Sequence, residues 1–95
     1  MVKNELLKRM EIIKTKLSQK YNSININNEE CFVLENGVVF HVVALGDGFD
    51  ALVIEYSGSI EEYKRNNSED GDLFFMNMES DEMLQNMNKE IETNL

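Results

Sequence analysis

Ninety-five residues with no internal repeat make one domain, residues 1–95, long enough to bury roughly 60 to 65% of the unfolded surface in a single core. The only cysteine, Cys31, excludes an intramolecular disulfide and points to a reducing, cytoplasmic setting. No apolar run exceeds the eight residues of VVFHVVAL, so neither a signal peptide nor a transmembrane span is expected, and a net charge of −9 disfavours direct contact with nucleic acid or anionic lipid.

That charge is unevenly placed. Residues 1–20 carry six cations (Lys3, Lys8, Arg9, Lys14, Lys16, Lys20) against two anions (Glu5, Glu11), whereas residues 21–95 carry three against sixteen. Between Tyr21 and Tyr63 there is no Lys or Arg, so the body of the chain should steer toward cationic partners.

Val2, Leu6, Leu7, Met10, Ile13 and Leu17 recur at three- and four-residue steps and predict an amphipathic helix over residues 3–20. SININN (23–28) is rich in turn formers and reads as a connection. β-rich runs follow, broken by Asn36-Gly37 and again by Asp47-Gly48, and predict a three-stranded meander with two-residue turns. In that register Phe32 faces His41, His41 faces Ile54 and Val39 faces Tyr56. One sheet face then collects Phe32, Leu34, Val39, His41, Val43, Leu45, Leu52, Ile54 and Tyr56 as core. The other carries Cys31, Val33, Phe40, Val42, Ala44, Ala51 and Val53, with Glu35 and Glu55 at its margins, and needs a second helix or a partner to cover it.

SIEE (59–62) has capping-box spacing and starts a short helix to about residue 66. LFFMNM (73–78) is the candidate for a fourth, short edge strand. Residues 80–95 place Met83, Leu84, Met87, Ile91 and Leu95 on one helical face, with Ser80 as N-cap. The expected class is α+β: a three- to four-stranded antiparallel meander packed by an N-terminal and a C-terminal helix.

Few residues point to chemistry. SEDGD (68–72) bunches its carboxylates too closely for a calcium loop and reads as a turn. GDGFD (46–50) lacks the Lys and helix start of a phosphate loop and reads as a hairpin turn. His41 is expected as a buried structural residue, facing away from Cys31, which has no local cation to lower its pKa. Met83 and Met87 fit a helical core stripe, while Met76 and Met78 can leave one strand face adaptable. No metal pattern, nucleotide fingerprint or catalytic constellation is present, so neither a cofactor nor catalysis is expected; an enzyme would require an accessible His41.

The function best matched to these features is a non-catalytic binding or inhibitory module that offers carboxylates in place of phosphates to a basic, nucleic-acid-binding protein. Its expected contacts are Glu29, Glu30, Glu35, Asp47, Asp50, Glu69, Asp70 and Asp72. In size, acidity and Asn/Lys/Ile-rich composition the chain resembles small inhibitors from phages and mobile elements of AT-rich bacteria, such as anti-CRISPR and anti-restriction proteins; the resemblance is one of overall style and assigns no residue a role. Two alternatives stand beside it, the first using the apolar second sheet face and the second the same acidic surface. One is a homodimer joined through Val33, Phe40, Val42 and Val53, and the other is an immunity protein or antitoxin that neutralises a basic nuclease.

Overall fold

The computed structural model describes residues 3–46 and 48–95, so Val2 and Asp47 lie outside the described residues. The chain runs α1 (Asn4–Lys20), β1 (Asn22–Ile26), β2 (Glu29–Val33), β3 (Val39–Leu45), β4 (Ala51–Ser57), α2 (Ile60–Lys64), β5 (Glu69–Phe75) and α3 (Ser80–Asn94). The five strands form one antiparallel sheet in sequence order, β1 and β5 being its edges. Class and element order are as expected, with five strands in place of three to four. No helix among the described residues is long and apolar enough to cross a membrane.

The fifth strand comes from SININN, which is strand and turn together. Asn27 and Asn28 both adopt positive φ (53° and 66°), and Ile26 stands directly opposite Glu29. This is the two-residue turn with left-handed centres that asparagine tolerates best after glycine.

The register of β3 differs from expectation by one residue at both of its borders. Phe32 faces Phe40, Phe40 faces Tyr56 and His41 faces Glu55. The cause lies in the first turn. The Gly37 N–H donates to the Leu34 carbonyl at 3.0 Å, the Leu34 N–H donates to the Val38 carbonyl at 2.8 Å, and only Gly37 is left-handed, at φ 92°. Glu35, Asn36 and Gly37 thus form a three-residue loop in which a tight turn is followed by a glycine bulge, with the Asn36 side chain accepting from the Val38 N–H. At the far end Leu45 faces Ala51, with Gly48 at φ 95° and Asp50 at φ 47° in the connection.

A one-residue slip turns every side chain of β3 over. Phe40 and Val42 therefore join Phe32, Leu52, Ile54 and Phe74 beneath α1 (Leu6, Ile13, Leu17) and α3 (Met83, Met87, Ile91). Tyr21 meets Phe40 edge-on at 5.6 Å. Val39 and His41 turn to the opposite face, where Val39 packs with Cys31, Ile26 and Tyr63 of α2. The expected apolar dimer face is consequently split: Phe40 and Val42 are core, while Val33 borders the α2 cluster and Val53 lies buried.

α2 starts as expected, the Ser59 hydroxyl accepting from the Glu62 N–H at 3.2 Å. α3 begins one residue early, with Glu79 as N-cap and no side-chain cap bond, so Ser80 is its first residue. SEDGD is not a turn: Glu69 to Asp72 are the first four residues of β5, which ends at Phe75 and leaves residues 76–78 outside any strand.

β5 has its own irregularity. Val53 faces Leu73 but Glu55 faces Asp70, which leaves Gly71 and Asp72 opposite Ile54 as a bulge. The Asp72 N–H donates to both carboxylate oxygens of the buried Glu90, each at 3.2 Å, and a Cβ on Gly71 would collide with Glu90 Oε1 while lying 3.3 Å from the Ile54 carbonyl. Gly71 is needed here for close approach. Gly71→Ala is expected to cost about 1–2 kcal/mol by displacing the carboxylate from its donor, with most of that cost absent in a Glu90→Ala background. Urea unfolding of the single and double variants measures it; additive losses would mean that the two residues do not share the interaction.

Candidate functional site

The turned-over β3 carries His41 into a group of polar side chains on the sheet face opposite α1 and α3. Its Nδ1 lies 2.8 Å from Glu29 Oε2 on β2 and its Nε2 lies 3.0 Å from Glu55 Oε1 on β4. Each ring nitrogen thus has its own carboxylate oxygen within hydrogen-bond distance. The Tyr63 hydroxyl donates to the same Glu29 oxygen at 2.8 Å, and its ring stands edge-on to the imidazole at 5.3 Å. Cys31 is on this face too, not the reverse one, and its Sγ lies 3.6 Å from the Glu29 carbonyl oxygen.

Burial grades the group. The His41 side chain is only 11% exposed, against 33% for Glu55 and 50% for Glu29, so the ring is enclosed while the acids reach water. Burial pushes the Tyr63 phenol far above its ordinary range, reinforced by its hydrogen bonds to Cys31 and Glu29, and burial likewise raises the Cys31 thiol. Both groups stay protonated near neutrality, which argues against a thiolate nucleophile. Beside them is a cleft of about 80 Å³ between Asn27, Glu29, Glu55, Tyr63, Asn66 and Ser68. Among the described residues no group of three or more His, Cys, Asp or Glu side chains is arranged to hold a metal ion.

Asp70 of β5 is the cross-strand partner of Glu55, so Glu29, His41, Glu55 and Asp70 form an acidic row from β2 to β5. None of the five strands contains a Lys or Arg. The other two β5 acids lie toward α3, on the reverse side of the same edge. Glu69 accepts from the Tyr56 hydroxyl at 3.1 Å, which raises the Tyr56 phenol, and Asp72 is exposed beside Glu90.

The other expected contacts do not join this row. Glu30 is half-buried opposite Asn25, and Glu35 is exposed in the β2–β3 loop. Asp50, in the connection at the other end of β3, is ion-paired with Lys3 at 2.9 Å, and Asp47 lies outside the described residues. The seven described acids are thus divided between the two ends of the sheet and its β5 edge. Conversely, Glu55, Tyr63 and Glu90 carry the local geometry, and no sequence motif singles them out. Their common signal is the register, which places a lone histidine opposite a glutamate in mid-sheet.

The chain matches no protein-family model, no curated protein and no solved structure.

Replacing His41 by Leu is expected to destabilise the fold by about 1–3 kcal/mol, because two carboxylates lose the ring nitrogens they share and the Tyr63 ring loses its edge-on neighbour. In double-mutant cycles with Glu55→Gln and Glu29→Gln, the coupling to Glu55 should be the larger, since Glu55 is less exposed; equal and negligible couplings would show that the row is only solvated charge.

Glu90 gives a pH dependence of defined sign. Burial raises its carboxyl above the ordinary 4.5, opposed by the Asp72 N–H and aided by the Asp72 charge. The folded state therefore holds this proton more tightly than the unfolded chain. Its stabilising contribution is present below about pH 4.5 and is lost as pH rises through the folded value. Glu90→Gln should gain stability relative to wild type as pH increases from acid to neutral in thermal unfolding, and a difference independent of pH would contradict the assignment.

Proposed function

We propose that the protein is a non-catalytic acidic binding module that engages a basic protein partner, its carboxylates standing where a nucleic-acid-binding protein holds phosphates. The observation that carries this reading is the row of Glu29, Glu55 and Asp70 across strands that contain no Lys or Arg, with Glu69 and Asp72 on the α3 side of the same β5 edge. Three supports bear on it. The row is built on strands, so its spacing is fixed before a partner arrives. Among the described residues none of Glu29, Glu55, Glu69, Asp70 or Asp72 is ion-paired to a lysine or arginine, unlike Asp50 and Glu92, which meet Lys3 and Lys20. Both nitrogens of His41 are occupied by carboxylates, which leaves no free base for a substrate.

The geometry favours these acids over Glu30, Glu35 and Asp50 as the principal contacts. An acidic β5 also protects an open sheet edge from pairing with other chains, a role compatible with binding. The test is capture of partners from the native host by wild type and by the Glu69→Gln/Asp70→Asn/Asp72→Asn variant. The wild-type complex should weaken steeply between low and physiological ionic strength, and the variant should bind at least about tenfold more weakly. Binding that is indifferent to both salt and these substitutions removes the electrostatic basis of the proposal.

A further inference from the structure

The face opposite α1 and α3 is covered over part of its length only. The five-residue α2 packs near Cys31, Val39 and Ile26 through Tyr63 and Ile60. Past the His41 row, toward the β3–β4 connection, two cross-strand rows are wholly apolar: Val43, Val53 and Leu73, then Leu45, Ala51 and Phe75. Ala51 and Val53 in the middle of these rows are buried and Val43 and Leu45 half-buried, but Leu73 is 38% exposed and Phe75 45% at the β5 side, and Phe49 in the connection reaches 56%. The reverse face shows the contrast, since α1 and α3, with 17 and 15 residues, fully bury Phe32, Phe40, Leu52 and Ile54 and cover most of the rest.

This partly exposed half-face is bordered on its α2 side by the acidic row, and that border limits what can cover it. A second copy in a two-fold arrangement brings the same apolar rows but also the same acids, each chain carrying a net charge of −9. Three exposed side chains of this size offer on the order of 200–300 Å², against about 800 Å² per partner in a standard interface. A strand added at the free β5 edge would lie beside this face and leave its Val43 and Leu45 side uncovered. The element that covers a sheet face is a helix, and α2 already occupies half of that layer.

Resting on the acidic row as a binding surface, we propose that the half-face seats a cationic amphipathic helix of a partner protein. Its apolar side covers the Val43–Val53–Leu73 and Leu45–Ala51–Phe75 rows, and its Lys and Arg residues reach Glu55 and Asp70 at the border. The apolar contacts fix position and the acids fix the sign of the partner's charge.

The probes are two Leu/Lys peptides of about 18 residues, enough for five helical turns: one amphipathic, the other with the same composition scrambled. Each is titrated into isotope-labelled protein at physiological ionic strength and followed through the amide resonances. The amphipathic peptide should shift Val43, Leu45, Leu73 and Phe75 saturably, while the scrambled peptide and a Leu73→Thr/Phe75→Thr variant bind at least about tenfold more weakly. Both substituted side chains are exposed, and an unchanged amide spectrum elsewhere confirms that the variant is folded. Equal binding of the two peptides, undiminished in that variant, overturns the helix-docking proposal and leaves the electrostatic function standing. Absence of binding by either peptide likewise overturns the helix-docking proposal, while the electrostatic function is decided separately by the partner capture. A concentration-dependent dimer in sedimentation that the same variant abolishes assigns the half-face to a second copy and also overturns the proposal.

Discussion

The left-handed backbone of Gly37 is the constraint on which the rest of the molecule depends. It closes a three-residue loop between Leu34 and Val38, and so decides which side of β3 meets the helices. With that loop, Phe40 and Val42 enter the core and His41 meets Glu29 and Glu55. A two-residue turn in the same place would exchange the two sets, burying a histidine among aliphatic side chains without a partner and exposing a phenylalanine. Core packing and the polar row are two consequences of one turn.

The β5 edge is organised by a second local event. Its bulge at Gly71 and Asp72 admits the Glu90 carboxylate from α3 against the backbone, so the last helix and the last strand are joined by a charge-accepting hydrogen bond as well as by Phe74. Elsewhere the ends of the fold are held by surface contacts: Lys20 meets Glu92 at 2.8 Å, and the Asn36 side chain donates to the Leu95 carbonyl at 3.0 Å. These exposed contacts contribute little each, which leaves the buried Glu90 as the main polar link between α3 and the sheet. The bulge and the neighbouring acids also make β5 a poor template for further strand pairing.

The helices were legible because their apolar spacing is unambiguous: Leu6, Ile13 and Leu17 on one, Met83, Met87 and Ile91 on the other. The capping serine of α2 was legible for the same local reason. Register was not, because Asn-Gly suits a two-residue turn and a three-residue loop alike, and only the hydrogen bonds of Leu34 and Gly37 distinguish them. β1 was hidden by asparagines that serve both strand and turn, and β5 by carboxylates that suggest a turn when the strand needs only one buried side chain, Phe74. Of the polar row, Glu29 and Asp70 stood out by charge. Glu55, Tyr63 and the engagement of His41 depend on pairing across strands, which no local pattern carries.

The proposed function rests on that pairing, since the acids of β2, β4 and β5 form a row only when β3 is turned with His41 among them. The most direct measurement is the set of backbone nuclear Overhauser contacts between the strands in solution. The account predicts cross-strand contacts joining Phe32 to Phe40, Phe40 to Tyr56 and His41 to Glu55. Contacts joining Phe32 to His41 and His41 to Ile54 would contradict it, placing His41 in the core and dissolving the acidic row.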